Sequence, residues 1–357
     1  MNNFIFENGT KVFFGKGCVK EYLACLTKGY GDTVMVVCGD DSVKKSGIYD
    51  EVVSILNRTG KQIAEFPGIT ASPTYAEVLE GARLARKHQA GLLLGVGGGP
   101  VMDCCKAISI AARYEGDAWE NFWARPGILD FEPLPVGVIA TEAGTGSECG
   151  GKAVITNQTL RVKTGRDYPK CNPKFALIDP SYSLRVSNPQ MVSGGFDTLS
   201  HIMEIYFSGP DEDNVSDDMA KAIMVNVIRN LRAAIENPEN YTARSNLMWA
   251  GAMAENRIIK LGKRADFQCR QMAYQLEAYA DCDHGGGLAV LQPVYYRHIY
   301  KDGPGKFKRF AAEVWGISPE GKTDEEIACA GIDALEDFIR EMGLPATLRE
   351  LGVDENT

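Results

Sequence analysis

The sequence predicts an α/β N-terminal domain, built on a doubly wound parallel sheet of Rossmann-like type, followed by an all-helical C-terminal domain. Short apolar runs alternate with amphipathic helical segments up to residue 185, whereas only helical periodicity remains after Pro189. A chain of 357 residues is also too long for one ordinary core. We therefore place the domains at 1–185 and 186–357.

The elements follow from local patterns, taken in order. Continuous apolar runs that end in glycine or proline predict buried parallel strands, with helices between them. The strands are expected at 11–14, 33–38, 62–66, 91–96, 133–141 and 175–179, and the helices between them at 48–60, 73–88 and 100–114. Residues 142–174, rich in Thr, Gly and Lys, indicate a loop or hairpin. Later helices are expected at 189–207, 214–235, 240–261, 265–281, 285–301, 305–315 and 324–343.

Composition limits the partners and the compartment. The net charge is −9 and Lys and Arg form no cluster, which argues against nucleic acid or an anionic membrane as partner. The N-terminus lacks a signal-peptide pattern, and the apolar runs are too short to span a bilayer. Ten scattered cysteines without a Cys-x-x-Cys pair indicate reduced thiols. We therefore expect a cytoplasmic protein.

A glycine loop follows the predicted strand 91–96, in the run Gly95-Val-Gly-Gly-Gly-Pro-Val-Met-Asp103. Backbone N–H groups at such a loop, with the helix N-terminus behind it, can hold a phosphate. The alternative is a plain tight turn. After the strand 33–38, Asp40 could bond the hydroxyls of a ribose at the sheet's switch point, or simply cap a helix.

Asp197 and His201 are four residues apart in a helical pattern, so both lie on one helix face. His284 precedes three glycines. A carboxylate and two imidazoles could hold a divalent cation. The alternative is a helix cap and a satisfied core histidine. We expect Glu204 and Glu277 to be solvated or structural.

Several motifs, taken jointly, resemble the iron-containing (group III) alcohol dehydrogenases, and their butanol-dehydrogenase branch most. They are Phe13-Phe-Gly-Lys-Gly17, Gly97-Gly-Gly-Pro-Val-Met-Asp103, Thr145-Gly-Ser-Glu148, Asp179-Pro180, the Asp197/His201 helix and His284-Gly-Gly-Gly-Leu-Ala289. The resemblance implies the two-domain plan shared with dehydroquinate synthase, a catalytic metal in the cleft between the domains, an alcohol or aldehyde substrate, and a homodimer. It also implies a further helical segment beyond residue 357, so the chain looks truncated.

The resemblance further implies residue roles. Gly97, Gly98 and Gly99 would cradle the pyrophosphate, and Asp103 would face the nicotinamide side of the cofactor. Thr141, Thr145 and Ser147 would line the cofactor cleft, and Lys163 would reach the nicotinamide ribose. Asp40 falls at the position that selects the adenosine ribose, and a carboxylate there favours NAD over NADP. The metal, iron or zinc, would be held by Asp197, His201 and His284.

Two residues depart from the family pattern. Arg270 stands at the fourth metal-ligand position and Tyr274 at that of a histidine implied in proton relay. A guanidinium has no lone pair to give a metal. Three hypotheses follow: Arg270 swings away from a bound metal, Arg270 replaces the metal by pairing with Asp197, or the chain is an inactive NAD-binding homologue. A dehydroquinate synthase-like lyase is a further alternative. If the chain is active, Asp103, Arg270 and Tyr274 are the candidate catalytic residues.

Overall fold

The structure, a computed structural model, describes residues 2–39, 42–212, 214–280 and 282–353. The chain divides into two compact units, one of Glu7–Val186 and one of Ser187–Thr357 with Met1–Phe6. The predicted boundary after residue 185 lies beside this division. The N-terminal segment clusters with the helical unit, which its sequence did not indicate. Its Asn2 side chain donates a hydrogen bond to the carbonyl of Gly262 at 3.0 Å.

The first unit contains a parallel sheet and a separate hairpin. Its strands are β1 Lys11–Phe14, β2 Thr33–Cys38, β3 Gln62–Phe66, β4 Leu92–Gly97, β5 Val136–Ala140, β6 Lys152–Asn157, β7 Val162–Asp167 and β8 Phe175–Ile178. Its helices are α1 Cys18–Thr27, α2 Ser42–Lys45, α3 Ile48–Arg58, α4 Tyr75–Lys87, α5 Gly99–Ala111 and α6 Pro180–Ser183. The predicted strands and helices are present, and the segment expected as loop or hairpin forms the antiparallel β6–β7 hairpin. Helix α1 and the short helices α2 and α6 were not anticipated.

Strands β2, β4 and β5 are buried along their whole length, because their apolar runs are covered on both faces. The sheet order is β1-β8-β5-β4-β2-β3, and all pairs are parallel. The strand order reverses between β2 and β4, because the chain passes outward from β2 to β3 and then crosses back to β4. The carboxyl ends of β2 and β4 therefore lie side by side, with Cys38 in register with Val96. Ligands of doubly wound sheets bind at such a reversal.

The second unit is helical in its described residues. Its α-helices are α7 Asn188–Phe207, α8 Val215–Glu236, α9 Tyr241–Glu255, α10 Gln268–Ala280, α11 His284–Ile299, α12 Pro304–Arg309 and α13 Asp324–Glu341. Helix α7 packs against α8, α9 and α11, and α10 packs against α11. Gly195 lets α8 approach closely, since a Cβ there would overlap Leu231. In the described ranges, no helix combines the length and apolar character needed to cross a membrane.

Candidate functional site

The glycine loop lies at the end of β4 and opens α5. Gly98 is the N-cap residue and, among the described residues, no side chain caps the helix there. Pro100 occupies the first turn, where its missing N–H costs no hydrogen bond. The first-turn N–H groups and the helix dipole are thus left for water or an anion. The residues fit a dinucleotide's diphosphate at this position.

A second loop, 141–147, lies directly on the glycines. The backbone N–H of Thr141 donates to the carbonyl of Gly97 at 3.2 Å. A Cβ at Gly98 would overlap the carboxyl group of Glu142, and a Cβ at Gly99 would overlap the side chain of Thr145. Glycine is therefore required here by close approach. The structure also places a carboxyl group at the helix start, which the sequence analysis did not single out.

Asp103 belongs to a buried polar network behind the loop. It accepts hydrogen bonds from the Ser147 hydroxyl and, at 2.9 Å, from the backbone N–H of Val154. The Lys106 ammonium lies 3.6 Å from it and donates to the Ser147 hydroxyl at 2.6 Å. Burial raises the pKa of Asp103, against the opposing charge of Lys106. The network ties α5 to the 141–147 loop and to β6, so Asp103 and Ser147 hold the cradle in shape.

The two remaining predicted cofactor residues are Lys163 and Asp40. Lys163 is buried on β7, opposite Thr156 of β6. Asp40 lies outside the described residues, although Gly39 before it follows the end of β2. The structure thus brings together the glycines, Thr141, Thr145, Asp103 and Ser147. The contacts of Lys163 and Asp40 with a cofactor stay predictions.

The helical unit holds the second group of predicted residues. Asp197, His201 and Glu204 follow one face of α7 at spacings of four and three residues. Arg270, Tyr274 and Glu277 repeat the same spacing on α10. His284 begins α11, where Asp283 caps the helix by accepting from the N–H of Gly286 at 2.8 Å. The three residues named on α7 and the three on α10 are buried, and the His284 side chain is 22% exposed.

Arg270 is at the centre of the group. Its Nη2 lies 2.9 Å from Asp197 Oδ1, and its Nη1 lies 3.0 Å from His284 Nε2. Glu204 accepts from the Arg270 backbone N–H at 2.9 Å and from Nε at 3.3 Å. Burial alone would raise the pKa of Asp197, but the charge of the adjacent Arg270 outweighs it and lowers that pKa. Asp197 is therefore ionised beside a charged guanidinium.

His284 is oriented on both ring nitrogens. Its Nδ1 bonds the Glu277 carboxylate, and its Nε2 faces Arg270 Nη1. A guanidinium can only donate, so Nε2 accepts and Nδ1 carries the proton. Tyr274 stacks on the ring, with centroids 5.5 Å apart. Tyr274 is itself buried, so its ring supports the buried face of the His284 ring.

His201 is directed to a different partner. Its Nε2 lies 2.9 Å from Glu255 Oε2, and its ring packs edge-on against Phe267 at 5.2 Å. Burial lowers the pKa of His201 to about 4, against the pull of Glu255 in the opposite direction. His201 is therefore neutral and held in the core.

The predicted metal set is not assembled in this arrangement. Across the described ranges, no group of three or more His, Cys, Asp or Glu side chains is arranged to hold a metal ion. Asp197 and His284 lie close together, but Arg270 contacts both of them. His201 Nε2 faces Glu255 at 2.9 Å without an aligned hydrogen bond. The residues present thus do not fit a bound metal as predicted. Asp197, His201 and His284 were grouped by residue type, helical spacing and family resemblance, and none of these specifies where the Arg270 side chain lies.

Glu204 and Glu277 were expected to be solvated or structural. The first alternative is wrong, because both are buried and contact Arg270 and His284 directly. A signal was available in the sequence. Each lies seven residues after a predicted site residue, Asp197 or Arg270, and so on the same helix face.

Comparisons with known proteins cover nearly the whole chain. The iron-containing alcohol dehydrogenase model matches residues 9–180, and the C-terminal model of the same family matches residues 191–357. The chain is 36% identical over 355 residues to the probable NADH-dependent butanol dehydrogenase 1 of Bacillus subtilis, covering 99% of this chain and 91% of that protein. It is 32% identical to an NADPH-dependent aldehyde reductase of Escherichia coli, covering 99% and 90%.

A solved structure agrees with these matches. The NADH-dependent butanol dehydrogenase A of Thermotoga maritima has a TM-score of 0.95 at 34% identity, covering 100% of this chain and 88% of that one. The chain therefore belongs to the iron-containing alcohol dehydrogenase family. Within it, the chain is of the butanol-dehydrogenase-like branch, as its motifs predicted. It is an oxidoreductase of alcohols and aldehydes by family, and that family supports a nicotinamide cofactor and a metal.

Proposed function

We propose that this chain interconverts a primary alcohol and its aldehyde with NAD(H) in preference to NADP(H). The observation that carries the proposal is the uncapped glycine start of α5 at the sheet reversal, which suits a dinucleotide diphosphate. Relatives named as NADH-dependent butanol dehydrogenases, at 36–37% identity, support the choice of cofactor and substrate class. A carboxylate at Asp40 would favour NAD because it repels a 2′-phosphate.

In this proposal the chain's own residues bind and orient the dinucleotide. The first turn of α5 would hold the diphosphate, and the Asp103–Ser147–Lys106 network would keep the 141–147 loop in place around it. When bound, the nicotinamide supplies or takes the hydride at the carbinol carbon. In the reductive direction the aldehyde oxygen takes a proton from water, so aldehyde, NADH and one proton give alcohol and NAD⁺.

The test is consumption of NADH and of NADPH with butanal, followed by absorbance, and formation of NADH with butanol. We expect a larger kcat/KM with NADH. A larger value with NADPH would overturn the cofactor choice. NADH binding without turnover of any aldehyde would make the chain an inactive homologue.

Gly99→Ala tests whether the glycine loop is the cofactor site. The new Cβ overlaps Thr145, so NADH binding should weaken. Gly29→Ala is the matched control, since a Cβ at Gly29 meets no described atom within 4 Å. Equal loss of NADH binding in both variants would argue against the glycine loop as the cofactor site.

A further inference from the structure

We propose that the Arg270 guanidinium takes the place of the metal ion that the family name implies, and that it binds the oxygen of the substrate instead. The substrate part of this inference rests on the proposed function. The metal part does not, because it follows from the contacts of Arg270 alone.

The first step concerns the position of the guanidinium. Asp197 Oδ1 and His284 Nε2 are 3.5 Å apart. Two ligands of one tetrahedral ion, each at about 2.0–2.1 Å, are separated by roughly 3.3 Å. The pair therefore has the spacing of two metal ligands. Yet both atoms already lie within 3.0 Å of Arg270 nitrogens, at 2.9 and 3.0 Å.

The second step concerns lone pairs. His284 Nε2 uses its lone pair to accept from Arg270, while Glu277 fixes the proton on Nδ1. The Asp197 carboxylate faces the same cation. A guanidinium stays charged, cannot ligate a metal and repels a dication. A metal could bind here only after Arg270 left.

The third step shows what holds Arg270 in place. Glu204 binds its backbone N–H and its Nε together, so main chain and side chain are fixed by one carboxylate. Only 3% of Arg270 is exposed, and the side chains of Asp197 and Glu204 are 6% and 3% exposed. Swinging Arg270 away to admit a metal would give Asp197 a new counter-charge but would leave the buried Glu204 without one. This favours replacement of the metal over displacement of the arginine.

The fourth step concerns Arg270 Nη2, a nitrogen whose N–H groups are available to a further acceptor. Nη2 is near Asp197 by distance, but its N–H groups are not aligned with that oxygen. Within the described part of the chain, this buried Nη2 has no hydrogen-bond partner. A carbonyl oxygen that gains charge as hydride reaches its carbon would be stabilised by such a fixed cationic donor. The partly exposed ring of His284 marks the side of the cluster nearest to solvent.

Metal content tests the replacement. Wild type, Arg270→His and the control Arg264→His, an exposed arginine, are dialysed with Zn²⁺ or Fe²⁺ and then freed of loose metal. We expect wild type and the control to retain little metal, and Arg270→His to retain at least about tenfold more. Added Zn²⁺ should raise the Tm of Arg270→His and leave that of wild type unchanged.

About one equivalent of metal in wild type would overturn the proposal, whether or not the variant folds. The oxygen contact is tested separately with Arg270→Lys in aldehyde reduction. We expect a lower kcat/KM with unchanged NADH affinity, since Lys cannot span Asp197 and His284 together. An unchanged kcat/KM would overturn the oxygen contact. If wild type reduces no aldehyde, the proposed function fails, while the metal measurement still decides the replacement.

Discussion

Replacing Arg270 by methionine should destabilise the helical unit strongly. The side chain is buried and its nitrogens contact Asp197, Glu204 and His284. Removing one partner of a buried ion pair costs about 3–5 kcal/mol, because the remaining charge stays desolvated. Glu204 keeps the backbone N–H of residue 270, so Asp197 is the main stranded charge. We therefore expect a loss of about 4 kcal/mol, close to one broken pair.

Urea unfolding followed by circular dichroism measures this loss directly. A loss of about 4 kcal/mol corresponds to a Tm lower by roughly 8–16 °C for a unit of this size. Arg340→Met is the matched control, because the ion pairs of Arg340 within the described residues, with Glu336 and Asp337, are surface pairs and their loss should cost about 1 kcal/mol or less. Adding Asp197→Asn to Arg270→Met should recover part of the stability. Arg270→Met unfolding within about 1 kcal/mol of wild type would refute the reasoning.

Three further changes address the first unit. Gly99→Ala should weaken NADH binding by about tenfold or more, measured by NADH fluorescence, while Gly29→Ala should not. Glu142→Gln should tighten NADH binding by about fivefold, because a carboxyl group at the start of α5 competes with the diphosphate for the helix dipole; equal or weaker binding would contradict this. Burial raises the pKa of Cys171 from 9.0 to about 12, so between these pH values the folded thiol keeps its proton and the unfolded one loses it. Stability should therefore fall as pH rises from 9.0 to 12, by up to about 4 kcal/mol from this group. Cys171→Ala should make that alkaline limb less steep in urea unfolding, and Cys25→Ala, at an exposed thiol, should leave it unchanged.

The fold could be predicted largely from local pattern. The apolar runs of β2 and β4 are continuous because both faces of a parallel strand are covered, and this is visible in the sequence itself. The change to helical periodicity after Pro189 likewise marks the second unit. The association of Met1–Phe6 with that unit could not be seen, because it depends on contacts far along the chain such as Asn2 with Gly262.

The site could be predicted in its residues and in one pairing, because contact of Arg270 with Asp197 was among the hypotheses, but not in its other pairings. Helical spacing placed Asp197 and His201 on one face, and the glycine loop was visible from its residues alone. Periodicity does not say which buried carboxylate meets which base on another helix. The pairs Arg270–Glu204 and His201–Glu255 join residues 66 and 54 positions apart in sequence, so only the packed structure reveals them.

The burial of Lys106 also could not be predicted from the sequence. Helix α5 is buried on nearly all sides, so a lysine in it contradicts any pattern of polar residues facing water. Its ammonium is satisfied by the carbonyls of Ser147 and Lys152 and by the Ser147 hydroxyl, at 2.6–2.9 Å. Such compensation comes from loops whose path the sequence does not specify.

The most direct test of the account is aldehyde reduction by the wild-type chain after removal of metal. Protein dialysed against EDTA is assayed with butanal and NADH, before and after addition of Fe²⁺ or Zn²⁺. The account predicts NADH consumption at a rate that neither EDTA nor added metal changes, because Arg270 already holds the position between Asp197 and His284. A rate that vanishes with EDTA and returns with metal would contradict it.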